Sequence, residues 1–313
     1  MLQLPDALVL GGGGVLGEAW MMGVLSGIED ATELDMRRCE YFAGTSAGSI
    51  VAADLVAGRS PRRPDPLPGG ATEPDAPEAP EESANALASA AAAAARLAGA
   101  WAIAAAGTFA PLALGIATPG GALMRGALLR RLPRPRQKLD RLHEHVAKSG
   151  ARFDGRLRVT AVDRDTGRRV VFGSPGAPRA SVADAVTASC TVPWLFAPVE
   201  IDGHEYVDGG VWSPTNLDIA PVGRGADVLC LNPTASLAGA NDLIGVVRRA
   251  SRSAAAVETL ALRRRGATVR TFGPNAASVT EMGTNLMDRG RARAVLAAGY
   301  GQGLEIAAGN GRA

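Results

Sequence analysis

One serine of this chain lies between two glycines at a spacing that could support nucleophilic chemistry. Residues 44–48 read GTSAG, so Gly44 and Gly48 flank Ser46 at the G-x-S-x-G spacing of a nucleophile elbow. In such an elbow a strand turns sharply into a helix, and the glycines keep side chains out of the strained turn. An apolar run before Ser46 and an alanine-rich segment after it favour this structure. The alternative is a tight turn with an idle serine, because the pentapeptide often arises by chance in a chain rich in Gly and Ala.

A run of glycines after the first predicted strand is a second candidate site. Gly12, Gly13 and Gly14 lie between a short apolar strand and an apolar helix predicted over residues 18–30. The spacing Gly12-x-Gly14-x-x-Gly17 matches a dinucleotide-binding loop, so a nucleotide-binding protein is one hypothesis. That function also calls for a carboxylate at the end of the second strand, where the sequence has none. The glycine N–H groups can instead donate to a developing oxyanion, and this is the use we expect beside a serine elbow.

An aspartate at the end of a predicted β-hairpin is the third candidate. Residues 199–201 and 205–207 are predicted strands that pair across a tight turn, and the second strand ends at Asp208. Gly209 and Gly210 follow it, and their lack of side chains would let this backbone approach the elbow closely.

The order of these residues limits the choice of a base for the serine. In an α/β-hydrolase the serine is followed along the chain by an acid and then by a histidine. The last histidine here, His204, precedes Asp208, which excludes that order. A direct Ser46–Asp208 dyad remains, with His204 as the less favoured base. A carboxylate with a solution pKa of about 3.9 is a poor base at neutral pH, but burial would raise its pKa.

Three motifs in this order, within residues 8–220, resemble the patatin-like phospholipases, which are lipid acyl hydrolases with a Ser-Asp dyad. That family has a glycine-rich loop after the first strand, a G-x-S-x-G elbow after the second and a late Asp-Gly-Gly. It also has an A-S-x-x-x-P segment followed by Phe-x-Pro, which fit residues 188–193 and 196–198. The chain departs from the family at Leu16, where Arg or Lys is common.

The resemblance implies a three-layer α/β/α fold with a central, mostly parallel sheet. It implies Ser46 as the nucleophile and Asp208 as its base, and neither a metal ion nor an organic cofactor is expected. The N–H groups of Gly12, Gly13 and Gly14 form the expected oxyanion hole. The glycines that support the motifs are Gly17, Gly44, Gly48, Gly209 and Gly210.

The composition limits the partners and the compartment. The chain has 33 basic and 31 acidic residues in 313, so its net charge of +2 gives no reason to expect nucleic-acid binding. Its three cysteines form no CxxC pair, which suits reduced thiols in a cytoplasmic protein. The N-terminus has neither a basic region nor a cleavage site of a signal peptide, so we expect a cytoplasmic location. Nothing in the sequence indicates an oligomeric state.

We expect residues 5–313 to form one acyl hydrolase domain that carries an insertion. Residues 58–82 are rich in proline and charge, which predicts a flexible surface segment. Residues 83–124 are apolar and predict a helical insertion, within which residues 97–117 carry no charge. This stretch has the length of a membrane span, but Gly and Pro interrupt it. Ordinary buried or capping helices, a flap that contacts a membrane peripherally, and a true span are the three alternatives.

The function that these features predict is hydrolysis of a lipid or other acyl ester, of the phospholipase A or esterase type, through an acyl-serine intermediate. Such an enzyme would act in lipid catabolism or remodelling. Two alternatives from other classes remain: a nucleotide-binding protein that uses the glycine loop, and a catalytically silent membrane-associated module.

Overall fold

The computed structural model describes residues 2–65, 119–235 and 243–309. Within these ranges, eight strands form one mixed sheet. Their bounds are β1 Ala7–Leu10, β2 Tyr41–Thr45, β3 Leu157–Asp163, β4 Arg169–Phe172, β5 Val199–Ile201, β6 His204–Asp208, β7 Asp227–Leu231 and β8 Thr268–Phe272.

The sheet has a parallel centre and an antiparallel end. Strands β3, β2, β1, β7 and β8 are parallel neighbours in that order. Strands β4 and β6 pair antiparallel with β3, and β5 pairs antiparallel with β6. Parallel strands have to be covered on both faces, which accounts for their near-continuous apolar sequences. The predicted fold class, a three-layer α/β/α fold with a central, mostly parallel sheet, is therefore confirmed.

Helices cover both faces of the sheet. Leu8 and Leu10 of β1 belong to a buried cluster with residues of α1, α2, α5 and α8, whereas Ala7 and Val9 point to a second cluster that includes Leu262 of α6. The helices are α1 Gly14–Thr32, α2 Ala47–Val56, α3 Pro119–Arg131, α4 Asp140–Ser149, α5 Val182–Cys190, α6 Leu243–Arg264, α7 Ala276–Met282 and α8 Ala292–Ala307.

The register of β3 explains how the elbow and the aspartate meet. Thr160 of β3 pairs with Thr45 at the end of β2, and the next residue, Ala161, pairs with Asp208 at the end of β6. Strand β4 pairs with both Thr160 and Ala161, so it occupies one side of β3. Strands β2 and β6 must therefore share the other side, where they run toward each other. Their carboxyl ends meet there.

Several predicted elements are observed, and others differ. The predicted hairpin strands appear as β5 and β6, and residues 268–272 form β8 as expected. Helix α1 begins at Gly14, four residues before the prediction, and α7 was not predicted. No helix in the described ranges is long and apolar enough to cross a bilayer.

The predicted insertion lies mostly outside the described residues, including all of residues 97–117. Its first part, residues 58–65, is described and contacts α1 through three ion pairs, one of which joins Arg63 and Glu29 at 3.5 Å. Arg62 lies 2.5 Å from Glu18, and Arg63 lies 2.7 Å from Asp30. The composition did not indicate these contacts, because ion pairs between distant segments leave no local pattern. Residues 119–124 are the first turns of α3.

Candidate active site

The turn between β2 and α2 has the geometry of a nucleophile elbow. Ser46 is its only residue outside both elements, and its backbone has φ 51° and ψ −125°. A positive φ in a residue other than glycine costs on the order of 1–3 kcal/mol and persists only where the surroundings enforce it. A Cβ at Gly44 would lie 2.5 Å from the Ser49 Cα, and one at Gly48 would overlap the Leu10 carbonyl oxygen. Both glycines are therefore needed for α2 to pack on the strand ends.

Because of this close packing, we expect a side chain at Gly48 to destabilise the protein. Gly48→Ala should lower the free energy of unfolding by about 3 kcal/mol or more, because the added methyl group meets backbone that cannot move independently. Gly301→Ala is the matched control, because Gly301 lies in α8 with open space at its Cβ position. That change should raise stability by about 1 kcal/mol. Chemical denaturation measures both, and equal effects of the two changes would contradict this account.

Two serines hold the backbone of Ser46 in its strained conformation. The Ser46 N–H donates to Ser189 Oγ at 2.8 Å, and Ser189 is fully buried in α5. The Ser46 carbonyl oxygen accepts from the Ser49 hydroxyl at 2.6 Å and from the Ser49 N–H at 2.8 Å. Both polar groups of the elbow peptide are thus satisfied. Ser189 belongs to the A-S-x-x-x-P segment noted in the sequence, but this role could not be inferred there.

The structure places Asp208 directly against Ser46. The Ser46 hydroxyl donates to Asp208 Oδ2 at 2.8 Å, and the other carboxylate oxygen accepts the Gly210 N–H at 2.7 Å. Asp208 is buried, whereas Ser46 is partly exposed. Burial raises the pKa of Asp208 from 3.8 to about 6, although the Gly210 N–H and the Ser46 hydroxyl oppose the shift. An accessible hydroxyl is therefore bonded to a carboxylate that is ionised at neutral pH and can accept its proton.

The glycine after Asp208 is required by close backbone contact. A Cβ at Gly209 would overlap the carbonyl oxygen of Thr160 in β3, and one at Gly210 would lie 3.0 Å from Asp208 Oδ1. The Asp208 N–H donates to the Thr191 carbonyl oxygen at 2.9 Å. The turn after β6 is thus pressed against β3 at the point where β2 ends.

His204, the less favoured base, does not reach Ser46. It lies at the opposite end of β6 from Asp208, about 13 Å away at the usual rise of a strand. Its Nδ1 is 3.1 Å from Asp163 Oδ2, and its side chain is more than half exposed. The other two histidines contact Asp184 and Arg59, on the surface.

The glycine loop adjoins the serine, but the three predicted N–H donors are not equivalent. A Cβ at Gly12 would lie 3.4 Å from the Ser46 Cβ, so the loop passes close to the elbow. The Gly12 N–H, however, donates to the Pro214 carbonyl oxygen at 2.8 Å. Gly13 caps α1 and Gly14 begins it, and their N–H groups have no acceptor in the described part of the chain.

The same loop is packed tightly by protein atoms. A Cβ at Gly13 would lie 2.5 Å from Pro233, and one at Gly17 would lie 3.1 Å from it. Gly14 has φ 61°, and its Cβ position is 2.8 Å from the Met287 sulfur. Leu16, at the position where the resemblance leads one to expect a cation, is fully buried in the core. These contacts leave less room for a bound nucleotide than the G-x-G-x-x-G spacing suggested.

Residues 2–65, 119–235 and 243–309 contain no group of three or more His, Cys, Asp or Glu side chains that could hold a metal ion. Burial raises the pKa of the thiols of Cys39, Cys190 and Cys230.

Comparison with known proteins identifies the family of this chain. The sequence model of the patatin-like phospholipase family matches residues 8–221, which include all three motifs. Among solved structures, VipD from Legionella pneumophila is similar at 15% identity, over 98% of this chain and 67% of that one, with a TM-score of 0.41. At this score the structural similarity adds no argument of its own.

Proposed function

Because the chain belongs to the patatin-like phospholipase family, we propose that it is a serine hydrolase that cleaves lipid acyl esters through an acyl-serine intermediate. Family membership supports lipid acyl hydrolase activity in general. The observation that carries the finer proposal is the 2.8 Å hydrogen bond from the Ser46 hydroxyl to Asp208. A nucleophile and a base within hydrogen-bond distance, at a strained elbow, are what serine catalysis requires.

In the proposed reaction, Ser46 Oγ attacks the ester carbonyl carbon while Asp208 accepts the hydroxyl proton. The tetrahedral intermediate then collapses, the carbon–oxygen bond to the alcohol breaks, and Asp208 gives its proton to the departing alcohol oxygen. Water attacks the acyl-serine in the second half of the reaction. Asp208 accepts a proton from that water and returns it to Ser46, which releases the fatty acid.

The oxyanion is best stabilised by the start of α1. We assign this role to the N–H groups of Gly13 and Gly14, which have no acceptor among the residues that the structure describes and lie at the positive end of the helix. Gly12 contributes space beside Ser46, because its own N–H is bonded to Pro214. In nucleophile elbows the residue after the serine also donates its N–H, which here is Ala47.

The proposed base predicts the pH dependence of the reaction. Asp208 acts as a base only when ionised, and its pKa is raised to about 6. Initial rates on a soluble acyl ester should therefore give a kcat/KM that is level above pH 7 and falls about tenfold per pH unit below pH 6. A fall in kcat/KM centred near pH 4 would mean that the carboxylate is not in this buried environment. If kcat/KM does not fall at all at acidic pH, the assignment of Asp208 as the base is contradicted.

We also propose that residues 5–313 form one acyl hydrolase domain. The family match ends at residue 221, but β7 and β8 extend the same sheet beyond it, and α8 packs along α1.

Peripheral membrane contact through residues 97–117 stays a prediction. It gains some support from Leu123 and Met124, which are 74% and 64% exposed near the start of α3.

Release of free fatty acid tests the function directly. The purified protein should release fatty acid from phosphatidylcholine vesicles, from a neutral lipid emulsion or from a short soluble ester, and the relative rates give the substrate class. A folded protein that hydrolyses none of these would favour the catalytically silent module. Saturable nucleotide binding without hydrolysis would favour the nucleotide hypothesis.

A further inference from the structure

We propose that residues 213–217, called here the bridging segment, hold the three parts of the site in register, with Asn216 as the central positioning residue. The inference rests on the proposed function, since it concerns the Ser46–Asp208 pair. The segment follows the short turn Gly209–Val211 and lies outside the three sequence motifs. Its role emerges only from contacts between distant parts of the chain.

Asn216 bonds to the neighbours of both proposed catalytic residues. Its Nδ2 carries two hydrogens and shares them among three acceptors: the Ser213 carbonyl oxygen at 2.6 Å, Thr45 Oγ1 at 3.1 Å and the Gly209 carbonyl oxygen at 3.3 Å. Thr45 immediately precedes Ser46, and Gly209 immediately follows Asp208. One amide group thus connects the side chain of the residue before the nucleophile with the backbone of the residue after the base. It restricts how far the two can separate.

The orientation of this amide is determined by its surroundings. Asn216 Oδ1 accepts from Arg169 at 3.1 Å, and a guanidinium can only donate. The NH₂ group must therefore face the opposite side, where it meets the oxygens of Thr45, Gly209 and Ser213. Arg169 is itself held by both carboxylate oxygens of Asp218, at 2.6 and 2.7 Å.

The backbone at Asn216 also suits this residue type. Its φ is 47° and ψ is 38°, in the left-handed region that asparagine adopts more readily than most other residues. The side chain is fully buried. Shape, hydrogen bonding and backbone conformation therefore all favour asparagine at this position.

The bridging segment also contacts the glycine loop. The Pro214 carbonyl oxygen accepts the Gly12 N–H at 2.8 Å. It would also lie 3.2 Å from a Cβ at Gly11, so the two backbones are in close contact. The elbow, the Asp208 turn and the proposed oxyanion loop thus share one structural neighbour.

A buried carboxylate anchors the segment to the opposite helical layer. Glu258 of α6 is only 6% exposed, and its Oε2 accepts from Thr215 Oγ1 at 2.6 Å and from the Leu217 N–H at 2.8 Å. Burial raises the pKa of Glu258, and these hydrogen bonds oppose the shift. Because α6 covers the sheet face opposite α2, the segment links the site to the helical layer that lies on the far side of the sheet.

Asn216→Asp tests the inference with little change of shape. The variant keeps the oxygen that accepts from Arg169 and tolerates the left-handed backbone, but it replaces the NH₂ donor with an oxygen. We expect the rate of fluorophosphonate labelling of Ser46, and kcat on a soluble ester, to fall about 10- to 100-fold, since small misplacements at a reacting centre cost this much. KM should change little, because the segment lies behind the proposed catalytic pair.

Two further variants separate positioning from simple destabilisation. Asn216→Gly can adopt the same backbone conformation but has no side-chain amide, so it should lower the labelling rate and kcat by the same factor. It tests the positioning role if Asn216→Asp does not fold. Gln302→Glu is the matched control, because Gln302 is also buried and its Nε2 donates to the Gly273 carbonyl oxygen at 2.7 Å. It should lower thermal stability and leave the labelling rate of Ser46 unchanged.

The outcomes distinguish this inference from the proposed function. If wild-type protein reacts with the probe and a folded Asn216 variant reacts at the same rate, the positioning role is wrong and the proposed function stands. A loss of equal size in Gln302→Glu would also overturn it, because the effect would then follow from stability alone. If folded wild-type protein does not react, the proposed function itself fails.

Discussion

Ser46→Ala should abolish acyl ester hydrolysis, with a fall in kcat of about 10⁴-fold or more, as expected for the loss of a serine nucleophile. The change removes the hydroxyl that donates to Asp208 and that is the proposed nucleophile. The fold should persist, because the lost atom is small and opens no large cavity. Initial rates on a soluble ester, with a thermal melt of the same sample, measure both effects.

Ser26→Ala is the matched control for this change. Ser26 is a buried serine in α1, and its hydroxyl donates to the Gly23 carbonyl oxygen of the same helix, away from the site. The rate should stay at the wild-type value. Turnover retained by a cleanly purified Ser46→Ala protein would reject Ser46 as the nucleophile.

Asp208→Asn should be nearly as damaging to activity and should stabilise the protein. An amide cannot accept the hydroxyl proton, so we expect kcat to fall about 10²- to 10⁴-fold, the usual contribution of a general base. The amide oxygen can still accept the Gly210 N–H, so the turn is preserved.

The gain in stability follows from the sign of the pKa shift. The folded protein raises the pKa of Asp208 from 3.8 to about 6, so ionisation opposes folding as the pH rises through this window. At pH 7 the neutral asparagine avoids this cost, which corresponds to at most about 3 kcal/mol. Well below pH 3.8, where both states hold the proton, the two proteins should be equally stable. Denaturation at pH 7 and at about pH 3 checks the difference.

His204→Ala provides the comparison that separates a dyad from a triad. His204 contacts Asp163 at the far end of β6, so its loss should change kcat only slightly. A folded His204→Ala protein as inactive as Asp208→Asn would contradict the direct dyad.

The features predicted from sequence were those with local signals. The strained turn at Ser46 needs glycines two residues away on each side, so its geometry can be predicted from the pentapeptide alone. The hairpin that ends at Asp208 has alternating apolar residues and a tight turn, and β8 alternates Val and Phe with polar residues. The order of the motifs excluded the α/β-hydrolase arrangement and left His204 as the less favoured base, and His204 contacts Asp163 instead of Ser46.

The features that escaped prediction depend on pairings between distant residues. Ser189 is 143 residues from Ser46 in the chain, and Asn216 is 171 residues from Thr45. No periodicity or spacing encodes such contacts. The Gly12 N–H was expected to be free, but the Pro214 carbonyl approaches it from beyond the Asp208 turn. Helix α1 begins at Gly14, earlier than predicted, because Leu286 and Met287 pack against this glycine and fix its backbone conformation. A glycine by itself does not indicate from sequence where the helix begins.

The central claim is that Asp208 activates Ser46 for nucleophilic attack. Its most direct measurement is mass mapping of the protein after exposure to a fluorophosphonate, which reacts with activated serines. The account predicts one adduct, on the peptide that contains Ser46, with its rate of formation lowered about 10²-fold or more in Asp208→Asn. An adduct on another residue, or labelling of Ser46 at the same rate in folded Asp208→Asn, would contradict it.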